Sequence, residues 1–126
     1  MSKAEIGRFL IQGTLTGKLA TVKKDGRSHV VPIWFVLDKS NSKGKVGDII
    51  FTTGDTSVKA NNIQRDNRVS ICVDDQIPPF SFVTVFGTMG KRNAEAYGKR
   101  NSEEGLVLVR IKPTRILAEK DIAAWE

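Results

Sequence analysis

One cysteine, one histidine and four prolines among 126 residues remove several kinds of chemistry at once. Cys72 has no second cysteine to pair with, and in the apolar run Val69-Ser70-Ile71-Cys72-Val73 a thiol behaves as a small hydrophobe. With His29 alone and neither HExxH nor CxxC spacing, one chain can assemble no zinc site and no Cys-His nucleophile. His29 itself, beside Ser28 at the start of a strand, reads as structural or surface. No GxGxxG or GxxxxGK[ST] occurs, which removes the Rossmann fingerprint and the P-loop. No apolar run reaches the roughly 18 residues that cross a bilayer, and Met1-Ser2-Lys3-Ala4-Glu5 has no signal-like apolar stretch. The expectation is a cytoplasmic protein without a membrane span.

What is present is cationic. Twenty Lys and Arg against 14 Asp and Glu leave a formal charge of +6 and a pI near 9.7. The cations are scattered, and the denser stretches, Lys23-Lys24 and residues 39–45, have the composition of turn and loop. No basic stripe of the kind that reads nucleic acid is seen. A solvated basic surface and one that meets a phosphate-bearing small molecule both fit.

The length supports one domain, residues 1–126. Ile6, Phe9 and Leu10 fall at i, i+3, i+4, which predicts a short helix over residues 3–12. Alternation over residues 18–23, the Asp25-Gly26 turn signal and the β-rich run 29–37 predict a first hairpin. Pro32 within that run places the strand at an edge, at a bulge or against a ligand. Further strands are expected over 48–53, 68–74, 82–88 and 106–112, the last closed by Pro113, with the tail from 114 to 125 adding a strand and a turn. Helices are expected over 57–66 and, more briefly, 93–101. Short strands with one helix after the third point to a closed barrel, with a sandwich as the alternative.

Chemistry has few places to reside. The bend Thr52-Thr53-Gly54-Asp55-Thr56-Ser57-Val58-Lys59 combines hydroxyls, amides at a helix start and the cation of Lys59, a set suited to phosphate. Ser and Thr at a helix start also serve simply as caps. Trp34 is read either as ordinary core or as the wall of a ring site.

The order and spacing of several short stretches carry a family resemblance. They are Leu19-Ala20-Thr21-Val22, Asp25-Gly26-Arg27, Val31-Pro32-Ile33-Trp34-Phe35, Thr52-Thr53, Ser57-Val58-Lys59 and Asn62-Ile63-Gln64-Arg65-Asp66-Asn67-Arg68. Asp74-Asp75-Gln76-Ile77-Pro78-Pro79-Phe80 and Ala94-Glu95-Ala96-Tyr97 follow. Together they resemble the pyridoxamine 5'-phosphate oxidase-like split barrels, and within them the branch that uses the deazaflavin coenzyme F420. The resemblance implies a mainly β fold, an FMN-binding-protein-like split β-barrel of six or seven antiparallel strands with short helices. It also implies a cofactor ring beside Val31, Pro32, Ile33 and Trp34, and a cofactor phosphate at Thr52, Thr53, Ser57 and Lys59. A homodimer with the cofactor at its interface and a small-molecule redox substrate are further implications.

Two departures separate the chain from relatives. Flavin-dependent pyridoxamine phosphate oxidases carry cations where this chain has Val31, Val36 and Val58. The bridge Gly90-Lys91-Arg92-Asn93 is shorter than the helical insertion usual in the deazaflavin branch. The resulting expectation is an F420-dependent oxidoreductase passing hydride to an organic acceptor, in which the ring carries the chemistry and no catalytic side chain is assigned. An FMN-binding reductase or oxidase-like protein, or a non-catalytic flavin- or haem-binding module, is the alternative.

Overall fold

The computed structural model describes residues 1–13, 15–40, 45–89 and 105–120. In chain order its elements are α1 (Lys3–Ile11), β1 (Gly17–Val22), β2 (Ser28–Ile33), β3 (Val36–Asp38), β4 (Asp48–Gly54), α2 (Val58–Arg65), β5 (Arg68–Asp74), β6 (Phe82–Met89) and β7 (Leu106–Glu119). All seven strands belong to one antiparallel sheet in the spatial order β2-β1-β5-β6-β7-β4-β3. β2 and β3 therefore stand at opposite ends of the sheet, although only Trp34 and Phe35 separate them in the chain. Three Cα steps reach roughly 11 Å at most. The sheet has to curl until its ends meet, and the result is a split barrel.

Two expectations about strand boundaries change. The run 29–37 is not one strand but two, turned at Trp34-Phe35, so that its first half pairs with β1 and its second with β4. Pro32 is tolerated because β2 is a sheet edge, where a missing amide breaks no ladder. Pro113 does not close the last strand. β7 runs through it for 14 residues, because Pro113 sits where the strand changes partners: β4 pairs only as far as Ile111, and β6 pairs from there to Glu119. The register shifts between Phe86 and Gly87, leaving Thr114 as the extra residue, with its Oγ1 donating to the Phe86 carbonyl at 3.1 Å. A Cβ at Gly87 would lie 2.6 Å from the Lys112 carbonyl oxygen, so only glycine lets the two backbones approach this closely.

Alternation sorts the side chains. β1, β5 and β6 bury every second residue, and the registers align Leu19, Ile71 and Val85 across three neighbouring strands. These three, with Ile49, Val73, Val83 and Ile111, are wholly removed from solvent, each contributing about 1.5–3 kcal/mol of burial. α1 closes one side with Ile6, Phe9 and Leu10, the face its spacing predicts. Its start is fixed by a capping box: Ser2 Oγ accepts from the Glu5 amide at 3.1 Å, and Glu5 accepts from the Ser2 amide at 3.2 Å.

α2 lies against β1 through a polar tie. The buried Asn62 donates from Nδ2 to Thr21 Oγ1 at 3.0 Å, and its Oδ1 accepts from Arg65 Nη2 at 2.9 Å. The same Arg65 nitrogen donates to the Val22 carbonyl at 2.7 Å. An amide buried this deeply would be costly without both partners. The helix expected over residues 93–101, the bridge at residues 90–93 and the end of the tail at 121–125 lie outside the described residues.

Candidate functional site

The turn from β4 into α2 is built by its own hydroxyls. Ser57 caps the helix, its Oγ accepting from the Ala60 amide at 3.1 Å. Thr53 Oγ1 lies 2.9 Å from the same oxygen. If Thr53 donates this bond, the Ser57 proton remains free to point at an anion. The Ser57 amide bonds to the Gly54 carbonyl and the Asn61 amide to the Ser57 carbonyl. The amides of Val58 and Lys59 in the first turn have no acceptor among the described residues, as expected of an exposed helix start. Lys59, half-buried, has no carboxylate partner among the described residues.

Thr52 and Thr53 do not act together. Thr53 points into the barrel and is 6% exposed, whereas Thr52 points outward into solvent. Thr53 therefore supports Ser57, while Thr52 joins the outer surface.

The ribbon from β2 to β3 divides in the same way. Val31 and Ile33 face the interior, Ile33 within the core and Val31 packed against it. Pro32 and Trp34 face outward, and Trp34 is 80% exposed. Sequence reasoning missed Val30 and Val36, which lie on the same outer face and are 59% and 63% exposed. Period-two alternation extended from Pro32 would have found both. The outer face of the ribbon is thus Val30, Pro32, Trp34 and Val36, an unbroken apolar stripe.

This stripe leads to the bend. Val36 pairs with Ile50 in β4, and the next outward residue of β4 is Thr52. Running the antiparallel register on from that pair carries β3 back toward Trp34 as β4 advances to Thr52. The stripe at Val36 thus lies alongside β4, the strand that leads into the hydroxyl-and-lysine turn. At the far end of β3 the outer face becomes polar: Arg110 Nη1 bonds to Asp38 at 2.8 Å and to Asp48 at 3.1 Å. The Ser40 backbone amide, the Ser40 side chain and then Arg110 stabilise the Asp38 carboxylate and hold its pKa down at about 2.

Two clefts flank these features. One of about 580 Å³ is walled by Leu10, Ile11, Leu15, Trp34, Phe35 and Val36, between the end of α1 and the ribbon's corner. The other, about 420 Å³, lies between the β1–β2 turn and the end of α2. Neither is walled by Thr52, Thr53, Ser57 or Lys59. His29 faces inward opposite Thr21, and its buried Nδ1 has no hydrogen-bond partner among the described residues. No group of three or more His, Cys, Asp or Glu that could hold a metal occurs among the described residues. No helix among them is long and apolar enough to cross a membrane.

A family model described as pyridoxamine 5'-phosphate oxidase matches residues 3–120. No curated protein matches the chain. Among solved structures, an F420 reductase is 24% identical, with a TM-score of 0.66 over 87% of this chain and 94% of its own. A conserved hypothetical protein of Mycobacterium tuberculosis is 23% identical, with a TM-score of 0.73 over 100% of this chain and 89% of its own. A FAD-binding protein of Mesorhizobium loti is 20% identical, with a TM-score of 0.66 over 94% of this chain and 92% of its own. At these identities the likeness carries the fold.

Proposed function

This chain belongs to the pyridoxamine 5'-phosphate oxidase family, and from that premise we propose that it is an oxidoreductase using a deazaflavin of the F420 type. The observation that carries the reading is the exposed apolar stripe beside β4, the strand that leads into the Ser57–Lys59 turn. A flat ring needs an apolar wall, and Pro32 and Trp34 offer one. The cofactor phosphate needs a cation and donors without prior commitments, and Lys59 with the first-turn amides of α2 offers these. When bound, the ring supplies the hydride, which accounts for the lack of an acid-base pair among the site residues.

The chain's own part is binding and placement. Lys59 and Ser57 would hold the phosphate, with Thr53 fixing the Ser57 hydroxyl from behind. Val31 and Ile33 would act by anchoring the ribbon to the core, so that Pro32 and Trp34 present a fixed surface. The stripe is exposed on a single chain, which supports a homodimer whose second copy covers it and excludes water from the ring. The substrate would be a small organic acceptor held against this surface, and no side chain of the site is assigned its proton.

FMN is the second reading, favoured by the family's description and by the FAD-binding neighbour. Against the oxidase activity itself stand Val31, Val36 and Val58, valines at the positions where those enzymes carry cations.

Titration of the purified protein with F420 and with FMN, followed by fluorescence, tests the proposal. Saturable F420 binding with acceptor-dependent consumption of its reduced form is expected. A yellow flavin band retained through purification would support FMN. Binding without turnover would support a carrier module, and binding of neither would end the reading.

A further inference from the structure

We propose a second ligand site, independent of the cofactor reading, in the cleft of about 420 Å³ between the β1–β2 turn and the C-terminal end of α2, and assign to it a small organic anion with an apolar body. The floor is apolar: Ile63 and Met89 are 1% and 5% exposed, and Val22 completes it. The rim is cationic, with Lys23, Lys24 and Arg65.

Arg65 is the informative residue. Its Nη2 is fixed by two neutral acceptors, the Val22 carbonyl at 2.7 Å and Asn62 Oδ1 at 2.9 Å. Asn62 is itself buried and held by Thr21. Nε and Nη1 have no acceptor among the described residues, so the guanidinium is positioned by a buried support while most of its donors stay open. A planar donor set held in this way suits an oxyanion.

The charge balance points the same way. Lys23 and Lys24 have no carboxylate partner among the described residues, and the nearby Asp25 is within reach of Arg27 at 3.4 Å. Asp66, the acidic residue in the lining, is gripped by Arg68, Nη2 to Oδ2 at 2.8 Å and Nε to Oδ1 at 3.0 Å. The C-terminal end of α2 adds only about half a negative charge. Three cations therefore face a cleft whose one acidic lining residue, also within electrostatic reach of Arg65, is already gripped by Arg68.

The test is nuclear magnetic resonance titration of Lys59→Ala protein, which removes the cation of the proposed cofactor site. The probes are phenyl phosphate, benzoate and inorganic phosphate. Saturable shifts at Gly26, Ile63 and Met89 with phenyl phosphate or benzoate are expected, and the tighter of the two identifies the head group. Inorganic phosphate should bind more weakly, since it leaves the apolar floor uncovered. The double variant Lys23→Ala/Lys24→Ala, confined to exposed side chains, should weaken binding about tenfold. Arg65→Gln should abolish it, with a melting curve recording any loosening of α2. Shifts confined to residues 52–59, unchanged affinity in the double variant, no saturation, or equal affinity for inorganic phosphate (an adventitious ion only) would each overturn the site.

Discussion

The two faces of the ribbon that runs from β2 into β3 have nearly the same composition and opposite situations. Val31 and Ile33 lie toward the interior; Val30, Pro32, Trp34 and Val36 lie toward solvent. Hydrophobic character does not distinguish them, because in an ordinary half-buried strand the outer positions would be polar. An apolar residue on the inner face is explained by the barrel. One on the outer face is not, and calls for something outside the barrel to cover it.

Substitutions can separate the two faces. Ile33→Ala should cost the most, about 2–5 kcal/mol of stability, measured by denaturant unfolding. A loss much smaller than this would mean that the inner face is not the anchor. Lys59→Ala, beyond the stripe's end, should leave stability nearly unchanged and weaken cofactor binding by about 1.5–3 kcal/mol. Unchanged affinity would remove Lys59 from the site. Trp34→Ala should shift unfolding by no more than about 0.5 kcal/mol, since the side chain is largely solvated, yet weaken cofactor binding measurably. An effect on stability as large as that of Ile33→Ala would erase the contrast between faces.

The smallest effect concerns the polar end of β3. Asp38 has a pKa lowered from 3.8 to about 2 by the Ser40 amide and hydroxyl and by Arg110. The folded state therefore binds this proton less readily than the unfolded chain. The stabilisation is complete well above pH 4 and declines as pH falls toward about 2. Acid unfolding curves of Asp38→Asn should be flatter in that window than those of the native chain.

Much of this was legible in the residues alone. The alternation of β1, the β-rich runs of β5 and β6, the polar start of α2 and the Asp25-Gly26 turn are local signals, and each appears where expected. What was hidden depended on partners distant in sequence. Nothing near Pro113 reveals that β7 changes neighbours there, so proline read as a stop. Nothing in residues 29–37 reveals that the two halves pair with opposite ends of the sheet. Thr52 and Thr53 were grouped by chemistry, but the pleat sends them to opposite sides of the wall. The Thr21–Asn62–Arg65 tie joins positions 41 residues apart and left no trace in the order of residues.

Trp34 and Phe35 act as the clasp of a hoop: the whole circumference is fastened by two adjacent amino acids. That clasp also borders the surface proposed for the cofactor. Occupancy of that surface and integrity of the hoop are then one equilibrium seen from two sides. Amide exchange in β1 and β4, the strands that pair with β2 and β3 on either side of the clasp, should slow together when the ligand is added, although few of their residues would touch it.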